Sequence, residues 1–216
     1  MHYYGQKDRP KDIIFEKDLI IDKKGGLDKS KNPTPLVCLS LNGTLLKKIN
    51  YSEGLDIPKS WKIGAVEVEY SSDGFIQKHI LLQRPGAADF IVELNKYAET
   101  GIYSSQKLDF IAESLLQLSI AQGDPDFCSE KELTRGAAYM DLGMWGQDQC
   151  MNKSGVYMKS LGVLSDYVET HISDTWLIDH KPGLVDFPCH VVTLPEFKGD
   201  PEDRELYKLA DRIFIN

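Results

Sequence analysis

The stretch PLVCLSLNGTLL, residues 35–46, runs an apolar strand pattern into a polar turn, the place where an α/β sheet presents side chains for chemistry, and the side chains it offers are Ser40 and Asn42. A serine hydroxyl can accept a phosphoryl group only when a neighbouring base or metal activates it. An amide cannot exchange a proton near neutral pH. Nothing else in this turn supplies either function. Other chemistries have less support. His2, His79, His171, His180 and His190 show no metal-ligand spacing, and His190 beside Cys189 is expected to alternate with it across a strand. Cys38, Cys128, Cys150 and Cys189 lie far apart with no C-x-x-C pair, which predicts buried reduced thiols rather than zinc ligands or a disulfide framework. No glycine-rich phosphate loop is present, so kinase and dehydrogenase readings fall away.

The elements that must position these residues follow from periodicity. LVCLSL suits a buried parallel strand, and AVEVEY followed by GFIQKHILL predicts a hairpin across SSDG. Residues 86–98 place Phe90, Ile91, Leu94 and Tyr97 or Ala98 on one helical face, and a second helix is expected over 107–120. A brief strand, TGIYSS, separates them. DTWLIDH and HVVTL are further apolar runs, and DPEDRELYKLADRIF opens with Asp, Pro and acids as a capped helix should. Arg84-Pro85 is expected to start a helix, and Gly43 to give the turn after the first strand a positive φ. Strands alternating with helices predict an α/β fold with a parallel sheet.

With 216 residues, the chain fits one domain with an appended arm, and its net charge of -8 argues against an electrostatic grip on nucleic acid. No apolar run approaches the roughly 20 residues of a membrane span. Residues 1–35 are charged and broken by KKGG and NPTP, and resemble neither a secretory nor a transit peptide. They are expected to form an arm held by partner proteins, with Tyr3, Tyr4 and Phe15 as interface candidates. Residues 36–216 then form the folded domain. Within it, 123–157 is expected to be an insertion of loops and short strands. Trp145 in that stretch is a lid, an interface anchor, or a residue packed on its own domain.

LVCLSLNGT, LLQRPGAADFIVEL, GIYSSQ, YMKSL and TWLIDHKP occur in the order and spacing of the haloacid-dehalogenase phosphatases of the FCP/small-CTD-phosphatase branch, to which residues 35–214 are similar. That resemblance implies a Rossmannoid parallel sheet flanked by helices, with a small β-rich insertion. The branch carries D-x-D-x-T after its first strand, where the first Asp attacks phosphorus and binds magnesium and the second is the general acid and base. Here those positions are Ser40 and Asn42. By the same resemblance Ser104 would hydrogen-bond a phosphate, Lys159 would balance its charge and Asp179 would hold the metal, with His180 where a second acid or Asn is usual.

With one carboxylate of that set left, magnesium is expected to bind weakly if at all, at Asp179, and no cofactor is expected. Lys159 is expected to pair with Asp179. The resemblance therefore implies an inactive phosphatase-like scaffold. The alternatives are a residual magnesium-dependent phosphatase with Ser40 as nucleophile, or a module binding a phosphorylated or acidic peptide through Lys159. The YSSQ segment is most similar to the phosphatase-like receptor subunits of the mitochondrial presequence translocase. The expected setting is therefore a mitochondrial assembly: a translocase, a respiratory complex or a mitochondrial ribosome, reached through protein partners.

Overall fold

The computed structural model describes residues 21–22, 35–51, 65–72, 74–122, 130–140 and 142–215. Two residues, β1 (Ile21–Asp22), precede β2 (Leu36–Leu39), whose four residues are all buried. Because side chains alternate across a strand, Val37 and Leu39 enter one apolar cluster while Leu36 and Cys38 enter another. A strand covered on both faces reads as an unbroken apolar run, which is why LVCL shows no alternation.

Next come β3 (Leu46–Asn50), β4 (Ala65–Ser72) and β5 (Phe75–Gln83), an antiparallel sheet in the order β3-β5-β4. The expected hairpin is present, with Gly74 at φ 79°. The chain then forms α1 (Ala87–Leu94), β6 (Glu99–Tyr103), α2 (Leu108–Gln122) and α3 (Glu130–Met140). α1 buries Phe90, Ile91 and Leu94 as its spacing predicts. Pro85 does not occupy its first turn: the helix starts at Ala87, and Gly86, at φ 79°, is its N-cap.

The stretch 123–157 differs from its expectation. It holds α3 and then β7 (Gly143–Trp145), which pairs in parallel with β6 as an edge strand of the main sheet. Only the hairpin of β8 (Met151–Lys153) and β9 (Val156–Met158) fits a β-rich insertion. The Trp145 ring lies over Gly101 and Gly143 and packs, half-buried, on the cluster containing Tyr103 and Leu161.

The chain continues through α4 (Leu161–Tyr167), β10 (Thr175–Asp179) and β11 (Val191–Thr193), then α5 (Glu205–Ile213) and β12 (Phe214–Ile215). α5 starts later than its acidic lead-in predicts. Asp200 and Asp203 instead close turns, accepting from the backbone N–H of Glu202 and Glu205. HVVTL is a strand only from Val191. Pro188–His190 is a 3-10 turn in which His190 is buried against Trp176, while Cys189 is exposed, contrary to both expectations for that pair.

The main sheet is parallel, in the order β11-β10-β2-β6-β7. From β2 the chain moves outward through β6 to β7, then returns to the other side of β2 for β10 and β11. Strand order therefore reverses between β2 and β10, and ligands of open α/β sheets bind at the carboxyl ends of strands at such a point. One face is covered by a cluster drawing on α1, α2, α3 and α5, the other by a smaller cluster under α4.

Candidate functional site

Ser40 follows β2 directly, Asn42 lies in the turn beyond it, Ser104 follows β6, and Asp179 closes β10. Parallel strands bring these ends to one edge of the sheet, and Lys159 reaches the same place from the segment after β9, anchored by a bridge to Val185. All five residues expected from the sequence line one cleft of about 130 Å³. Tyr3, Tyr4 and Phe15 lie outside the described residues, as does Cys128.

A buried ion pair forms the floor. Lys159 Nζ is 2.5 Å from Asp179 Oδ2 and donates to Ser40 Oγ at 2.7 Å. Asp179 Oδ1 accepts from the Lys181 backbone N–H at 3.1 Å and lies 3.2 Å from His180 Nδ1. Burial alone would raise the Asp179 carboxyl, but the His180 hydrogen bond and the Lys159 charge hold it well below the usual carboxylate range. The expected Lys159–Asp179 pairing is thus present.

The remaining polar groups are tied to the backbone. Asn42 Oδ1 accepts from the Lys48 N–H at 2.8 Å, and Ser104 Oγ accepts from the Gln106 N–H at 3.2 Å. Lys48 Nζ donates to Gln106 Oε1 at 2.9 Å, and burial lowers the pKa of its ammonium. Gln106, Tyr157, Lys181 and Glu196 also line the cleft; the first three stand inside the motifs GIYSSQ, YMKSL and TWLIDHKP but were given no role there, and Glu196 lies in no motif.

The turn that carries Ser40 and Asn42 is braced from outside the cleft. Gly43 adopts φ 83°, and a Cβ there would lie 2.6 Å from His180 Cε1, so only glycine lets that ring pack down. Arg84, fully buried, holds both oxygens of Asp203, at 2.8 and 2.9 Å, and donates to the carbonyls of Thr44 and Pro195. One guanidinium so connects the turn after β2 to the lead-in of α5. Sequence reading gave Arg84 only a part in starting a helix.

These donors do not fit a magnesium ion. Magnesium is held by carboxylates, substrate phosphates and retained waters. Here Asp179 has both oxygens engaged, by Lys159 on one side and by His180 and Lys181 on the other, while Ser40 and Asn42 carry no charge. Among the described residues no group of three His, Cys, Asp or Glu side chains is placed to hold a metal.

A parallel sheet in this order, with its polar cleft at the switch point beside β2, β6 and β10, defines a haloacid-dehalogenase-like α/β domain. The chain belongs to the NLI interacting factor-like phosphatase family, whose model matches residues 35–213. Among solved structures it is similar to a variant of the fission yeast RNA polymerase II CTD phosphatase Fcp1 bound to beryllium fluoride. That match has a TM-score of 0.52 and 14% identity over 76% of this chain and 42% of that one. A second structure of Fcp1, described as an essential RNA polymerase II CTD phosphatase, has a TM-score of 0.52 and 13% identity over 83% of this chain and 48% of that one. The chain thus spans less than half of either Fcp1 chain, and at these identities the likeness shows the fold. Among curated proteins no match was found.

Proposed function

We propose that this domain is a catalytically inactive phosphatase-like body that serves as a structural subunit of a larger, mitochondrial protein assembly. One observation supports the reading: at the switch-point edge, Ser40 and Asn42 stand where the resemblance would put the motif's two acids, and the nearby Asp179 is paired with Lys159. A carboxylate nucleophile is already ionised at neutral pH. Ser40 would need a base, and the group that donates to it is an ammonium, paired with Asp179 and with no lone pair to take its proton. Asn42 uses its carbonyl oxygen to accept from Lys48 and has no proton to give a leaving group and recover.

The partner contacts follow from chemistry at the surface. A net charge of -8 favours basic or neutral partners. No helix among the described residues is long and apolar enough to cross a membrane, so the proposed association runs through protein contacts. The charged arm, residues 1–35, supplies one contact surface in this reading, with Tyr3, Tyr4 and Phe15 as its apolar anchors. Trp145 is weaker as an anchor, since its ring packs on glycines of its own sheet.

Native mass of the endogenous protein after gentle solubilisation, with cross-linking mass spectrometry of co-migrating chains, tests this directly. The expected outcome is migration in a large mitochondrial assembly with cross-links from residues 1–35. Migration as a free monomer would overturn the scaffold reading. Magnesium-dependent hydrolysis of para-nitrophenyl phosphate would overturn the inactivity.

A further inference from the structure

We propose that the Lys159 ammonium is the resident cation of this cleft, standing in for a divalent metal, and that the cleft takes up tetrahedral oxyanions with no metal present. This rests on reading Ser40 and Asn42 as the two motif positions, and it goes further by saying what the altered cleft binds and how.

The first argument is occupancy. Lys159 and Asp179 are both deeply buried, at 7% and 1% exposure. A divalent ion approaching Asp179 would have to displace the ammonium at 2.5 Å and leave it buried without its counter-charge. It would gain one carboxylate in exchange, too little to repay the dehydration of magnesium.

The second argument is donor count. An ammonium has three N–H donors, and Ser40 and Asp179 take two. Ser40 accepts from Lys159, so its own O–H is left to donate. Asn42 accepts through its oxygen, which leaves its NH2 group, and Ser104 likewise accepts from Gln106 and retains its O–H. Four side chains on one cleft thus hold donors that the described hydrogen bonds leave unspent.

Charge is the third. The cleft wall carries Lys159 and Lys181 against Asp179 and Glu196, two cations facing two anions. Carboxylates at positions 40 and 42 would make the same wall doubly negative and repel a phosphate dianion unless a metal intervened. With Ser and Asn there, the dianion meets a balanced wall with the ammonium on its floor.

Thermal unfolding of the full chain with inorganic phosphate, and separately with O-phosphoserine, in EDTA or in millimolar Mg2+, tests this. At a hundredfold excess over Kd, the expected rise in Tm is roughly 5–10 °C, equal in EDTA and Mg2+. The tighter of the two ligands tells free phosphate from a phosphorylated side chain. Lys159→Met should abolish the rise. Because that variant strands the Asp179 carboxylate, Lys159→Met with Asp179→Asn removes both charges together and keeps the test readable if the single variant fails to fold. Ser40→Asp with Asn42→Asp should make the rise depend on Mg2+. The proposal is overturned if Mg2+ tightens phosphate several-fold in the natural sequence, if both Lys159 variants still respond, or if neither anion shifts Tm. Magnesium binding without turnover would sink this inference alone, whereas turnover would also sink the inactivity on which it rests.

Discussion

A guanidinium with no solvent exposure persists only where its donors are taken, and Arg84 meets that condition with a two-pronged grip on Asp203 and two carbonyls. Arg84→Met should therefore cost about 3–5 kcal/mol, because it leaves the Asp203 carboxylate and two carbonyls without their partner. Urea unfolding would show a lower midpoint at unchanged slope. A collapse in slope would instead mean that the native state itself had loosened. Acid sensitivity belongs to the same scale. Burial would raise both Asp179 and Asp203, but the hydrogen bond from His180 and the charge of Lys159 at the first, and the hydrogen bond from Arg84 at the second, hold both below the ordinary value of 3.8. A depressed carboxylate stabilises the fold fully above its unfolded-state pKa, and that contribution is lost as pH falls through the folded value. Tm should accordingly fall as pH drops below about 5 and go on falling below the ordinary value of 3.8, less steeply in Asp203→Asn than in the natural chain. Equal slopes would show that Asp203 carries no such linkage. Ser40, Asn42, Ser104, Lys159 and Asp179 were legible in the sequence because each stands at a fixed place in a short motif. The Arg84–Asp203 pair was not, since ion pairs across 119 positions leave no local pattern.

Elements with strong periodicity were the ones the sequence showed. The fully buried β2 and the hairpin of β4 and β5 appear as apolar runs or alternations, and α1 as a stripe of Phe90, Ile91 and Leu94. α3 was hidden because EKELTRGAAYM is polar and interrupted by glycine, and its place was set by packing against α1 and α2. β7 is only three residues long, too short for any period to register, and becomes a strand because β6 offers it an edge. The connection after β2 allows a direct test of how an element holds the cleft. Gly43 and Gly74 share a left-handed φ, but only Gly43 has a neighbour, the His180 ring at the end of β10. Gly74→Ala should cost about 1–2 kcal/mol from the backbone alone. Gly43→Ala should cost that plus the displacement of His180, and the excess in a denaturation series measures the packing of turn against strand. Equal costs would mean that His180 moves aside freely and does not brace the turn.

For the molecule as a whole, one sheet serves two cores. β2 sends Val37 and Leu39 into the larger cluster and Leu36 and Cys38 into the smaller, so neither face can lose its packing without exposing the strand the other depends on. The two faces should therefore unfold together, and the chain carries its own reporters. Trp176 is buried in the larger cluster and Trp145 packs against the smaller. Trp61 lies outside the described residues and is replaced by Phe in both variants of the test, one retaining Trp176 and the other Trp145. Each removal costs some stability, so circular dichroism is followed in the same samples as fluorescence. In each protein the fluorescence and dichroism midpoints should coincide, as they do for two-state domains. A Trp145 transition that precedes its dichroism would show the α4 face opening while the larger core stays folded, and the sheet would then be two cooperative units rather than one. Coincident transitions would accordingly show one cooperative body, the property that a phosphatase-like domain needs if its surfaces are what an assembly uses.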